Sequence, residues 1–254
     1  MPQKIKLESE TMIADVNSFN KNEQHAINVL QLWDGSNTLD AVAPTIYNKF
    51  VYVYLKNTFQ DEMGKALYQQ FEDTHMIKRA VADQIFSTEI IWWDDINTPA
   101  IIETKSNILS KSITETVSEL EQQLGEDINQ WNWDKVHILE HQHPLGSIEA
   151  LRGIFNVGPF SVNGASEVIN NLAYKRDETG IYNVKAGPST RRIIDFNDIE
   201  NSISILPTGQ SGNQFSKHYK DQAVMYNTGK FRKMKMNKDE IINTSTKVNF
   251  KPKN

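Results

Sequence analysis

Two groups of side chains in this sequence have types and spacings that could do chemistry. The first is His137-Ile138-Leu139-Glu140-His141, an H-x-x-E-H run. On a helix, His137 and His141 stand four residues apart on one face, so both imidazoles could reach one Zn²⁺. Glu140 would then be the general base and His143 a further ligand, the constellation of a zinc-dependent peptidase. Against this, only three positions are fixed, and Pro144 would end the helix soon after the last ligand. The plainer reading is a helix end whose histidines bond their neighbours.

The second group is Leu206-Pro207-Thr208-Gly209-Gln210-Ser211-Gly212-Asn213, followed by His218-Tyr219-Lys220-Asp221-Gln222. A glycine-rich loop between a strand and a helix start can offer backbone N–H groups to an anion. It has neither the G-x-x-x-x-G-K-[ST] spacing of a phosphate loop nor G-x-G-x-x-G. Ser211, His218 and Asp221 invite a Ser-His-Asp reading. However, His218 and Asp221 fall within one helical turn, which does not set the acid behind the imidazole and the hydroxyl before it. A structural loop capping a strand is the simpler expectation.

The elements that must carry these groups follow from hydrophobic periodicity. A helix is expected over Glu23–Trp33, stopped by Asp34-Gly35. The spacing of apolar residues predicts an amphipathic helix from Leu39 to Leu55, with Pro44 near its start. Further helix is expected at Lys65–Glu72 and Met76–Phe86, and another from Ile108 to Leu124, ending at Gly125. After about residue 150 glycine and proline punctuate shorter segments. Arg191–Phe196 and Ser202–Leu206 read as strands, with a short helix from His218 to about Tyr226. Helices followed by strands indicate an α+β fold. The organisation expected is a leader or severed connection over 1–22, a mainly helical region over 23–150, an α+β part over 151–236 and a basic tail over 237–254.

Bulk properties bound the function. The 254 residues are 39% hydrophobic, 9% aromatic and 23% charged, a globular composition. The chain has no cysteine, which removes thiolate nucleophiles, disulfides and Cys-ligated zinc. No apolar run is long enough to span a membrane, and Met1–Lys6 lacks the apolar core of a signal peptide. The net charge of −5 is unevenly spread: from Lys230 onward eight Lys/Arg oppose two acids, so this stretch carries +6 and the rest −11. An acidic body argues against a nucleic-acid partner, and neither nucleic acid nor membrane is expected as one. The tail could contact a polyanion, although such termini are ordinarily solvated.

The segment 206–226 resembles the end of the β subunit in the penicillin acylase family, which includes penicillin, cephalosporin and acyl-homoserine-lactone acylases. The residues that carry the likeness are Leu206–Asn213, His218-Tyr219, Asp221-Gln222 and Tyr226. The resemblance continues upstream in the same order. Trp131-Asn132-Trp133-Asp134-Lys135-Val136-His137 resembles W-x-W-G-x-x-H, and His143-Pro144-Leu145-Gly146 and Phe155–Phe160 match the stretch after it. Ser189–Phe196 is similar to the family's next core strand, and Leu32-Trp33-Asp34-Gly35 to a helix end. Asp134 stands where glycine is usual, and Gln214 where proline is usual. Roughly residues 23–236 are covered. The family-motif residues are therefore Trp133, His137, Gly209, Gln210, Ser211, Gly212, His218, Tyr219, Asp221 and Gln222.

The resemblance implies an N-terminal nucleophile hydrolase of linear amides with an αββα sandwich. Its serine, at the start of the β chain, is activated by its own α-amino group. An Asn side chain and a backbone N–H hold the oxyanion. In the family these groups, and the calcium ligands, lie upstream of the stretch matched here. Gly35-Ser36-Asn37 and Gly146-Ser147 resemble cleavage junctions but sit inside motifs that come later in the family. The expectation is a C-terminal β-subunit fragment, inactive alone, needing an α subunit and the front of the β subunit, without a metal or cofactor of its own, and periplasmic by resemblance. Asp195 stands where some members carry a catalytic glutamate; its ordinary reading is a strand-end carboxylate paired with Arg191 or Arg192. The alternatives are the zinc peptidase and a non-enzymatic interaction module.

Overall fold

The computed structural model describes residues 16–72, 74 and 91–252. The helix expected at Met76–Phe86, and most of the expected leader, lie outside the described residues. The chain divides into two compact units: Met1–Leu139 with Ser161–Ala186, and Glu140–Phe160 with Gly187–Asn254. It passes from the first to the second along one strand, returns along the next, and leaves again after Ala186.

Among the described residues the first unit is built on three α-helices: α1 (Lys21–Leu32), α2 (Ala43–Glu72) and α3 (Lys105–Leu124). Helix α1 starts at Asn20, whose side chain accepts from the N–H groups of Asn22 and Glu23, both at 2.9 Å. Glu23 returns the favour by accepting from Asn20 N–H at 2.7 Å, which completes a capping box. Helix α2 begins four residues later than its apolar pattern suggests. The Leu39 and Ala41 carbonyls accept from Asp134 and Trp133 N–H, both at 2.9 Å, so this stretch is held as a turn. Gly64, at φ 71°, breaks α2 into the two helices expected from the sequence. Helix α3 packs its Ile108, Ile113, Val117 and Leu120 face against Ala26, Ile27, Ile46 and Phe50 of the other two.

Strands β1 (His137–His141), β2 (Val157–Ser161), β3 (Ala173–Tyr174) and β4 (Tyr182–Ala186) form a sheet of order β2-β1-β4-β3. β1 and β4 are parallel, with His137 opposite Tyr182, and β3 and β4 are antiparallel. β1 already lies inside the range that reads as helical from sequence.

The second unit contains helix α4 (Glu149–Phe155) and an antiparallel sheet of β5 (Arg191–Ile193), β6 (Ile203–Ile205) and β7 (Arg232–Lys233), in that order. Helices α5 (Ala223–Asn227) and α6 (Lys238–Thr244) complete it. The structure corrects two local expectations here. β5 stops at Ile193 because Asp195 turns the chain: its side chain accepts from Asn197 N–H at 2.9 Å and its carbonyl from Asp198 N–H at 3.1 Å. The helix expected from His218 is confined to 223–227. The tail contains α6, none of whose residues is buried. The architecture is α+β.

Candidate functional site

The H-x-x-E-H run is a strand, and this overturns the zinc reading. Along a strand, positions four apart are separated by about 13 Å, whereas zinc needs its ligands about 2 Å from one point. His137, Leu139 and His141 take one face of β1 and Glu140 the other. Glu140 is held by Arg152 of α4 through two bonds, Nε to Oε1 at 3.0 Å and Nη2 to Oε2 at 2.9 Å. That guanidinium keeps the carboxyl below the usual carboxylate range, unlike a base poised near neutrality. His143 Nδ1 accepts from Leu145 N–H at 3.1 Å, and its ring stacks on Phe155. No group of three or more His, Asp or Glu among the described residues is arranged to hold a metal.

His137 instead belongs to a buried aromatic cluster of the first unit. Its ring stacks on Trp133 with centroids 4.7 Å apart, and Tyr174 and Tyr182 close the cluster. Trp133 Nε1 donates to the Gly164 carbonyl at 2.9 Å. His137 Nδ1 lies 2.8 Å from the Val162 carbonyl and Nε2 lies 3.4 Å from that of Leu172. Burial holds the imidazole below its ordinary pKa, although both carbonyls pull it upward. It is therefore neutral at pH 7, and the shorter contact assigns its one proton to Nδ1. The family-motif histidine and tryptophan thus tie the 161–164 and 172–174 segments to the start of β1.

In the second unit the Gly-rich loop folds back on the turn that follows it. Ser211 N–H donates to the His218 carbonyl at 3.1 Å, and Gln222 N–H to that of Thr208 at 3.0 Å. The Gln222 side chain, itself buried, accepts from Leu206 N–H at 3.2 Å. A Cβ on Gly209 would meet the His218 carbonyl oxygen at 1.9 Å, so only glycine permits the backbones to come this close. Gly212 has open space around it. Gln210 lies in the same loop and is exposed. The Tyr219 hydroxyl donates to the Phe155 carbonyl, binding the turn to the end of α4.

His218 Nδ1 and Asp221 Oδ2 are 2.9 Å apart, but the imidazole is 58% exposed and the Ser211 hydroxyl bonds Asn213. Acid and imidazole are paired and no hydroxyl is engaged with them, so the structure does not assemble a Ser-His-Asp relay here. Asp195 is exposed and engaged in the turn after β5, not in the expected ion pair. Arg191 is engaged elsewhere: Nη1 donates to the Tyr226 carbonyl at 2.8 Å, and the guanidinium lies 3.8 Å from the Tyr226 ring centroid. Buried Tyr226 donates from its hydroxyl to the Pro188 carbonyl at 2.8 Å. Sequence reading missed this clamp and the Glu140–Arg152 pair, because neither partner pair is close in sequence. Tyr226 stood in the motif, but its role showed no local signal.

The family model for penicillin amidase matches residues 3–243. The chain belongs to the penicillin amidase family. Among curated relatives it is similar to "Acyl-homoserine lactone acylase QuiP" of Pseudomonas aeruginosa, 28% identical over 225 residues, covering 82% of this chain and 26% of the relative. The protein of the same description from Pseudomonas fluorescens Pf0-1 is 30% identical over 195 residues, covering 75% and 23%. The chain thus spans about a quarter of the length of these relatives. A solved thermostable penicillin G acylase from Alcaligenes faecalis aligns at 13% identity and TM-score 0.45, covering 94% of this chain and 45% of that one. The motif segments described above fall inside the range matched by the family model.

Proposed function

We propose that this chain supplies the C-terminal part of an amidohydrolase that cleaves linear amides with an N-terminal serine carried on another stretch of polypeptide. The observation that carries the reading is the pairing of a family match over 3–243 with relatives about four times as long as the matched stretch. The candidate groups within the chain support it from the other side: the H-x-x-E-H run is a strand, and Ser211, His218 and Asp221 form no relay. On this reading Trp133, His137, Gly209, Tyr219 and Gln222 shape the scaffold and do not touch substrate. Asp195 is given a turn-forming role, and Asp195→Asn leaves activity in place.

The amide of an acyl-homoserine lactone is the favoured substrate, because that is what the curated relatives are named for. The serine's own α-amine takes the hydroxyl proton as oxygen attacks the amide carbon. The amine half leaves protonated, and water then releases the acid. On this reading calcium, the oxyanion donors and the α subunit belong to that other stretch of polypeptide, and the assembled enzyme acts in the periplasm.

The test is co-expression with a polypeptide carrying a family α subunit and the front of a β subunit that begins with serine. The chain alone is expected to hydrolyse neither acyl-homoserine lactones nor penicillin G. The complex is expected to hydrolyse a linear amide and to lose that activity when the N-terminal serine becomes alanine. Turnover by the purified chain alone, abolished by Ser211→Ala, would overturn the proposal. Association of the two polypeptides without turnover would leave an interaction module.

A further inference from the structure

The segment from Lys230 onward differs from the rest of the chain in charge, and the structure gives that charge a surface. Arg232–Lys233 runs along the edge of the second unit's sheet as β7, and just past it Met234 N–H donates to the Ser202 carbonyl at 2.7 Å. Helix α6 follows, capped by the Asn237 side chain, which accepts from Asp239 and Glu240 N–H. Lys235 Nζ donates to Thr244 Oγ1 at 2.7 Å and so ties the helix to the strand end. Arg232, Lys233, Lys235, Lys238, Lys247 and Lys251 are all exposed. One carboxylate, Glu240, approaches two of them, Lys233 at 3.5 Å and Lys235 at 3.9 Å.

Large apolar side chains stand out among these cations. Met236 is 56% exposed, Ile242 61%, Val248 67% and Phe250 94%. Cations interleaved with exposed aliphatic groups suit the boundary between lipid headgroups and acyl chains: the ammonium and guanidinium groups meet phosphates and the aliphatic groups enter below them. A nucleic acid would be better met by aromatic side chains on which bases stack. Here one exposed aromatic, Phe250, accompanies four exposed non-aromatic apolar side chains, Met236, Ile241, Ile242 and Val248. The −11 on the rest of the chain opposes a nucleic acid and an anionic bilayer alike, but it acts weakly beyond a Debye length of about 10 Å, so the local cations and apolar groups decide.

We propose that residues 230–252 form a peripheral docking surface for an anionic lipid bilayer. This departs from the sequence-based expectation of no membrane partner, which rested on the lack of a spanning segment. The contact lies on the headgroup surface. It goes beyond the amidohydrolase reading and does not depend on it.

The test is sedimentation of the 254-residue chain with vesicles of phosphatidylcholine alone, or with about 30 mol% phosphatidylglycerol, beside a vesicle-free control that removes self-association from the signal. Binding to the anionic vesicles is expected to exceed binding to neutral ones by about tenfold and to fall by a similar factor between about 50 and 500 mM salt. Replacing Lys235, Lys238, Lys247 and Lys251 with glutamine is expected to remove most of it. Val248→Ser with Phe250→Ser, both beyond the last helix and exposed, should weaken it several-fold without touching the fold. Equal binding to both vesicle types, or no binding to either, overturns the proposal. So does retention of a single-stranded oligonucleotide by a chain that ignores the anionic vesicles.

Discussion

Gly209 and Gly212 stand three residues apart in one loop, yet their surroundings differ sharply. A methyl group at Gly209 meets a backbone oxygen at 1.9 Å, while at Gly212 it meets nothing within 4 Å. Gly209→Ala is expected to cost about 1–3 kcal/mol of stability, since a backbone carbonyl cannot swing aside as a flexible side chain would. Gly212→Ala should stay within about 0.5 kcal/mol. Chemical denaturation of the two variants side by side checks this; equal costs would show that the loop does not rest on the His218 carbonyl. The sequence motif contains both glycines and marks them alike. The difference lies in a contact across nine residues that no local pattern encodes.

His137 leads to a pH prediction. Burial depresses its folded pKa below the unfolded value of about 6.5. The unfolded chain then binds a proton that the folded imidazole refuses, so stability is whole above about pH 6.5 and falls as pH drops toward the folded value. Half-buried His141 shifts in the same direction, for the same reason. His137→Gln keeps a donor for the Val162 carbonyl and removes one titrating group. Its unfolding midpoint should therefore decline less between pH 7.5 and pH 5.5 than that of the parent chain; identical slopes would remove His137 as a contributor. The H-x-x-E-H spelling promised chemistry at these same residues. Five residues are too few for periodicity to separate helix from strand, and the decisive partner, Tyr182, lies 45 positions away in the register of β1 with β4.

At the scale of elements, the helices were the readable part. The apolar faces of α1 and α3 repeat at helical spacing, and their ends carry local signals: Asn20 with Glu23 for α1, and Gly125 for α3. Asn20→Ala removes both acceptor bonds of the capping box and is expected to cost about 1 kcal/mol, measured by thermal unfolding. No change would mean that α1 is held by its packing alone. The weaker expectations failed where long-range bonds compete with local periodicity. Residues 39–42 continue the apolar pattern of α2, but Trp133 and Asp134 take their carbonyls. His218, Gln222 and Tyr226 sit at helical spacing, yet Gln222 is drawn to Thr208 and Leu206. β5 was readable as a strand, and its early end was hidden in the side chain of Asp195.

Considered whole, the second unit leaves much apolar surface uncovered. Ile193, Ile194 and Phe196 are exposed at and beyond β5, an outer strand of its sheet among the described residues, with Phe215 and Val224 exposed elsewhere. Exposed strand edges beside such residues are templates for pairing. The chain alone is expected to self-associate at micromolar concentration, and a polypeptide that covers these faces should return it to a defined complex. Sedimentation velocity distinguishes the outcomes, and a stable monomer across a wide concentration range would count against an uncovered interface.

The double crossing of the chain along β1 and β2 has a consequence in time. The aromatic cluster of the first unit draws Trp133 and His137 from one side of the excursion and Tyr174 and Tyr182 from the other. A nascent polypeptide that has emerged only as far as Leu139 therefore presents a tryptophan with no lid. Another ~50 residues must leave the ribosome, a delay of roughly 2–10 s at ordinary elongation rates. For that interval the helical core is made and its neighbour is not. Stalling synthesis within Glu140–Phe160 should leave Trp133 quenchable and the chain bound by chaperones, and moving the stall well past Ala186 should release it.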